Sequence, residues 1–255
     1  MPAEPSSDIG TLQAIGPLGQ PPGTKYERLI ARAQSVPAAT TVVVHPCDEL
    51  MREVTSGKTG LRTARRISHV FIMDVPTYGE TLFVTDAAIN IFPDLAAKRD
   101  IIQNAIDLFT QTGLGTPRVA ILSAVETVTS KIPSTIDAAA LCKMADRGQI
   151  TGGILDGPLA FDNAIDPEAA RIKGIKSPVA GRAQILVVPD LEAGNMLAKN
   201  LALLAKADAA GIVLGARVPI VLTSRSDTVR GRMASCAAAV IYADSRRRAA
   251  VLPEV

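Results

Sequence analysis

The chain has 255 residues, 47% apolar and 20% charged, with 27 Lys and Arg against 25 Asp and Glu for a net charge of +2. That balance offers no polyanion-binding surface, and 3% aromatic residues without Trp offer no stacking platform for single-stranded nucleic acid. With no long uninterrupted apolar run, an acidic Pro-rich start (MPAEPSSDIG) unlike a signal peptide, and three distant cysteines (Cys47, Cys142, Cys236), the chain reads as cytoplasmic and reduced, with no membrane span.

Residues 1–24 hold five Pro, four Gly and two Ser with few apolar side chains, and read as a leader or linker. The pattern then predicts a helix over Tyr26–Ala33 and a strand over Thr41–His45. Strands Val70–Met73 and Thr81–Thr85 are separated by the turn residues Pro76, Thr77, Tyr78 and Gly79, the one antiparallel hairpin expected. Asp94 is placed to cap a helix reaching about Thr112, with a stripe at Ile102, Ala105, Ile106 and Phe109 and a stop at Gly113. Arg118–Ser123 is a strand, and Ser134 with Asp137 resembles a capping box opening a helix that stops at Gly148. Strand Ile154–Leu155 precedes the turn-like Asp156-Gly157-Pro158, and a short helix covers Pro167–Ile172. Strand Gln184–Val188, a helix from about Gly194 to Ala207, strands Ile212–Leu214 and Pro219–Thr223, and a helix over Ser226–Tyr242 complete the chain. This alternation predicts a three-layer α/β/α fold on a mostly parallel sheet, where ligands bind beyond the carboxyl ends of strands.

Several motifs fail on inspection. Gly57-Lys58-Thr59 ends like a phosphate-binding loop, but the residue five before Gly57 is Arg52, not Gly. His45 and Cys47 have metal-ligand spacing without a second pair, so no metal site is expected. Polar residues after strands remain: Thr85, Asp86 and Asn90; Asp156 and Asp162; Asp190, Glu192, Gly194 and Asn195; and Ser224, Arg225 and Asp227. Four strands are expected to aim these groups at one crevice. The last set is the sharpest. A hydroxyl, a guanidinium and backbone N–H groups at one strand end suit an anion such as phosphate. The alternative is that Ser224 or Ser226 caps the helix while Asp227 complements its dipole.

From about Arg66 to Tyr242 the sequence resembles the phosphate acetyltransferase and phosphate butyryltransferase family, with a fit closer to the butyryltransferase-like branch. The matching segments, in order, are TDAAINIFPDLAAKRDIIQNAIDL, VAILSAVET, GQITGGILDGPLAFDNAI, SPVAG, ILVVPDLEAGNMLAKNL and GARVPIVLTSRSD. The resemblance implies a two-domain fold like that of isocitrate and isopropylmalate dehydrogenases, a homodimer, and the reaction acyl-CoA plus phosphate to acyl phosphate plus CoA. CoA then enters as a substrate, with no permanently bound cofactor. Ser224 and Arg225 match the family's Ser-Arg pair and inherit the role of holding phosphate and the reacting carbonyl. Asp227 is the candidate base for the CoA thiol. Acetyltransferase-like members carry that acid further on, where this chain has Gly231 and Arg232. Arg52, near the position of a substrate-binding arginine in the family, and Asn195 are the candidate CoA-binding residues.

One departure stands out. The chain passes from VVVHPCDEL to the segment before ISHVF without a substantial α/β portion present in the family. The expected division is therefore a leader (1–24), a shortened first domain made of 25–68 and 218–255, and a complete second domain, 69–217. A shortened wall leaves apolar surface for a partner chain or closer packing. The alternative function is an impaired remnant that dimerises and binds CoA or phosphate weakly. A dehydrogenase of the same fold would need clustered metal-ligating aspartates, and those here are dispersed.

Overall fold

A computed structural model describes residues 25–36, 43–44, 61–224 and 227–251. In chain order the elements are α1 (Lys25–Gln34), β1 (Val43–Val44), β2 (Ser68–Asp74), β3 (Leu82–Thr85), α2 (Leu95–Gln111), β4 (Arg118–Leu122) and α3 (Pro133–Asp146). There follow β5 (Ile154–Leu159), α4 (Phe161–Ile165), α5 (Pro167–Ile172), β6 (Ile185–Val187), α6 (Leu191–Leu203), β7 (Asp208–Leu214), β8 (Ile220–Val221) and α7 (Val229–Val251). The strands join in one sheet of order β1-β8-β7-β2-β3-β6-β4-β5.

Side chains alternate across this sheet with the two-residue strand period. Val70 and Ile72, Phe83, Val119 and Ile121, Ile185 and Val187, and Ile212 and Leu214 face one layer, packed by α2, α3 and α7. Met73, Val84, Ala120, Leu122 and Leu186 face the other, against α4, α5 and α6. A smaller cluster of Val213, Ala216 and Ile220 lies at the β8 end. Helices thus cover both faces, as the alternation predicts.

The sheet is mixed, which corrects the expectation of mostly parallel strands. Four pairings are parallel (β1·β8, β3·β6, β4·β6, β4·β5), and three are antiparallel (β2·β3, β2·β7, β7·β8). The hairpin expected between β2 and β3 forms, pairing Met73 with Leu82 and Val70 with Thr85. Two further antiparallel contacts come from β7, which lies between β2 and β8.

Three local readings also change. Helix α3 opens on Pro133 with Ile132 as N-cap and no side-chain cap bond, so Ser134 and Asp137 form no capping box. Proline occupies the first turn because its missing N–H is not needed there. Ser134 Oγ instead lies 2.9 Å from Ser123 Oγ, and Asp137 takes the buried Lys98 at 2.7 Å. Strand β5 runs on through Asp156, Gly157 and Pro158, which an edge strand tolerates. Helix α6 begins three residues earlier than expected, at Leu191, because Asp190 accepts from Ala193 N at 2.9 Å.

Candidate active site

Strand register decides where the polar strand ends point. Thr85, Val70, Ile212 and Val221 occupy one row across β3, β2, β7 and β8. From this row β3 continues to Asp86, toward the Ser68 and Leu214 end. Strand β8 runs the opposite way, so Leu222–Ser224 move toward the Asp74 and Asp208 end. About three residues at ~3.3 Å each separate Ser224 from the row. The four strands therefore do not converge on one crevice: the β3 and β6 ends lie together, and the β8 end lies at the opposite edge.

The first group is used up in holding the fold. Asp86, 3% exposed, accepts from Ala88 N (3.0 Å), Ile89 N (3.1 Å), Asn90 N (3.2 Å) and Asn90 Nδ2 (2.5 Å). Asn90 also donates to Ile67 O at 2.9 Å and accepts from Arg66 Nε at 2.8 Å. Asn195, in the second turn of α6, donates to Ala87 O at 3.3 Å and so ties the same segment. Gly194 beside it has no room for a side chain, since a Cβ would lie 2.6 Å from Val188 Cγ2. Asp156 accepts from Gly157 N at 2.9 Å, and Asp162 pairs with Lys173 at 3.1 Å. Structure and sequence agree that these residues are polar strand ends. Their hydrogen bonds explain them without a ligand.

The second group is different. Ser224 N donates to Asp227 Oδ2 at 2.7 Å, and Asp227 N donates to Ser224 O at 3.1 Å, closing a turn from both sides. Arg225, Ser226, Arg52, His45 and Cys47 lie outside the described residues. The helix is capped by Thr228 rather than Ser224 or Ser226: Thr228 Oγ1 accepts from Gly231 N at 3.0 Å. Ser224 is exposed and Asp227 half-buried. No side chain fits at Gly231, because a Cβ there would meet Ala209 O at 2.4 Å. Gly231, one of the two residues where the resemblance puts the later acid, is thus pressed against β7.

Around the turn, α1 crosses the ends of β2 and β7. The Tyr26 hydroxyl lies 2.8 Å from Ile72 O and 2.9 Å from Asp208 O and donates between them. Burial, then Asp208 and Asp74, hold its pKa well above the ordinary phenol value, and Asp227 acts in the same direction. Tyr26 is therefore a fixed donor, not an acid. Arg230 pairs with Asp208 at 3.5 Å and sits over the Tyr26 ring, 5.9 Å from its centroid. Lys25 pairs with Asp74 at 3.3 Å and donates to Tyr78 O and Glu80 O, each at 2.8 Å. These residues, scattered from 25 to 230, carry no motif and were not singled out from the sequence.

Between the two groups lies His69, 1% exposed, on β2. Burial lowers its pKa below 6.5, while Asp86 and the Leu222 carbonyl act in the opposite sense. Gly211 makes space for the ring, since a Cβ there would sit 2.8 Å from His69 Nε2 and 2.6 Å from Leu222 O. The two described cysteines are poor nucleophiles: burial pushes Cys142 up to about 12 and raises Cys236 as well.

The described residues form an α/β protein built on one mixed sheet with helices on both faces. Residues 38–240 match the family model described as Phosphate acetyl/butaryl transferase. The chain belongs to that family. It is 79% identical over 204 residues to the phosphate acetyltransferase of Rhizobium meliloti, covering 80% of this chain and 65% of that protein. It is 55% identical over 243 residues to that of Rickettsia prowazekii (strain Madrid E), covering 94% and 69%. A probable phosphate butyryltransferase of Bacillus subtilis (strain 168) is 47% identical over 195 residues, covering 76% and 65%. The chain thus spans 65% of the Rhizobium meliloti relative's length. Among solved structures, a branched-chain phosphotransacylase from Enterococcus faecalis V583 superposes with a TM-score of 0.73 at 32% identity, covering 86% of this chain and 78% of that one. A phosphotransacetylase from Streptococcus pyogenes gives 0.68 at 27% identity, covering 79% and 62%.

Proposed function

We propose that this protein transfers an acetyl or butyryl group between CoA and inorganic phosphate. A phosphate oxygen attacks the thioester carbonyl, the C–S bond breaks, and CoA leaves as the thiol while acyl phosphate forms. The observation that carries this reading is the Ser224–Asp227 turn, closed by two reciprocal hydrogen bonds at a strand end, in a chain of this family. Ser224 and Arg225 hold phosphate and the developing oxyanion; a positioned charge there lowers the barrier by several kcal/mol. Asp227 exchanges the thiol proton, accepting it when CoA attacks and returning it when CoA leaves. The absence of space for a side chain at Gly231 favours Asp227 over position 231 for that role. Arg52 is assigned to substrate binding. Asn195 is read as a support of the Thr85–Asn90 segment, since its amide is bound to Ala87 O on the far edge.

The same reading includes the isocitrate/isopropylmalate dehydrogenase-like division into a shortened domain (25–68 with 218–255) and a second domain (69–217). It is supported by β1 and β8, one from each segment of the shortened domain, which pair with each other at one end of the sheet. A homodimer in the cytoplasm completes it, supported by the exposed Met196, Leu203 and Leu204 of α6 and its end. Among the described residues no helix is long and apolar enough to cross a membrane.

The test follows free thiol release from acetyl-CoA or butyryl-CoA in the presence of phosphate. Release is expected from the protein and not from a Ser224→Ala/Arg225→Ala variant. No release above that control overturns the proposal. In an active protein, Asp227→Asn should lower turnover by about 10²-fold or more; unchanged turnover removes Asp227 from the role.

A further inference from the structure

The edge that carries the Ser224–Asp227 turn also holds a concavity of about 420 Å³, walled by Lys25, Arg28, Asp74, Lys206, Asp208 and Arg230 among others. Its charges do not cancel. Asp74 is taken by Lys25 at 3.3 Å and Asp208 by Arg230 at 3.5 Å. Lys25 is further engaged by two carbonyl oxygens. Arg28 and Lys206 form no ion pair among the described residues, so four cations against two carboxylates leave a surplus of two positive charges.

The two surplus cations come from separate elements, α1 and the turn after α6, so this is not a solvated stripe on one helix. Lys206 is also the one non-glycine residue with positive φ among the described residues, at 56°. Helices that end in this left-handed conformation mostly do so on glycine, which has no Cβ to strain. Here a long cation is kept at that position, at the rim of a cavity already short of negative charge. The volume falls within the range of small-molecule pockets and exceeds what one inorganic phosphate fills.

We propose that this basin, which Ser224 does not line, is a second anion site that binds a phosphate-bearing group through Arg28 and Lys206, with Arg230 also on its wall. The group is either the diphosphate of an organic substrate such as CoA or inorganic phosphate. Its phosphate chemistry stands on the basin alone; only the assignment to CoA rests on the acyl-transfer reading. Arg28 supplies a planar fork of donors and Lys206 a point charge, a pair suited to dianionic oxygens.

Calorimetric titration of the full chain with inorganic phosphate, inorganic pyrophosphate and CoA tests this, with Arg28→Gln, Lys206→Gly and the double variant alongside. Glycine is at ease at φ 56°, so Lys206→Gly should leave the thermal midpoint of the unliganded protein unchanged or higher. The double variant is expected to bind pyrophosphate and CoA about tenfold more weakly or worse. A comparable loss for inorganic phosphate assigns the basin to that ion; a loss confined to pyrophosphate and CoA assigns it to the organic diphosphate. Ser224→Ala/Arg225→Ala should keep pyrophosphate binding while turnover disappears, so a failure of the acyl-transfer reading would show in turnover and not here. Wild-type affinity for all three ligands in the double variant, or no binding of any of them by the wild type, overturns the proposal. A Lys206 that serves only the end of α6 would give the first of those results.

Discussion

Replacing Gly231 with alanine tests how tightly the start of α7 is fixed to the sheet. In a solvated helix the change would stabilise by about 1 kcal/mol, because glycine loses more backbone entropy on ordering. Here the new Cβ would lie 2.4 Å from Ala209 O. Carbon–oxygen contacts settle at ~3.3 Å or more, so the first turn of α7 must withdraw by roughly 1 Å. That movement strains two links to β7: Ser235 Oγ accepting from Gly211 N at 2.9 Å, and the Arg230–Asp208 pair at 3.5 Å. Overpacking of this kind costs about 1–3 kcal/mol, and a weakened buried hydrogen bond about 1 kcal/mol more. After the helix gain is subtracted, a net loss of about 2 kcal/mol is expected, lowering the melting temperature by ~4–8 °C for a chain this long. Urea unfolding followed by far-UV circular dichroism suits a protein without Trp. Thiol release by Gly231→Asp, measured below the melting temperature, should not exceed wild type, because the carboxylate has no seat. A Gly231→Ala variant as stable as wild type would refute the argument, and with it the exclusion of an acid at this position.

Two further outcomes follow from the groups nearby. His69 is held neutral by burial, so the unfolded chain takes up a proton near pH 6.5 that the folded chain resists. Its stabilising effect is complete above that pH and is lost on acidification, by at most ~1.4 kcal/mol per pH unit. Urea midpoints between pH 7.5 and 5.5 should therefore fall less steeply in His69→Phe than in wild type, and parallel slopes would contradict the assignment. Carboxylates held low by cations, such as Asp100 and Asp244, act only at lower pH and do not blur this window. Ser235→Ala should strand the buried Gly211 N–H, costing about 1–3 kcal/mol and speeding exchange of that amide; unchanged Gly211 protection would sink it.

What the sequence carried, and what it hid, divides along physical lines. Elements were legible wherever a local signal sufficed. The Pro167–Ile172 helix matches residue for residue, and Asp94 caps α2 through Ala97 N as its spacing indicates. Strand direction was harder, because an apolar run has the same period in either sense. Yet one direction was written in the chain. Only Gly215–Pro219 separate β7 from β8, and a parallel crossover needs about a dozen residues. Those two strands had to be antiparallel. That short connection, together with the antiparallel β2–β3 and β2–β7 pairings, points the Ser224 segment away from Asp86 and Asn90.

No such reading was available for the basin. Lys25, Arg28, Lys206 and Arg230 come from three distant stretches, and their meeting depends on α1 docking across the ends of β2 and β7 through Tyr26. That dock is itself tertiary: a phenol donor placed between two carbonyls, kept protonated first by burial and then by Asp208 and Asp74, the carboxylates that pair with the basin's own cations. The Ser224–Asp227 segment was recognisable because its polar groups sit in four consecutive residues. The basin was not, because its charge surplus exists only after β8 has reversed and α1 has folded over the edge.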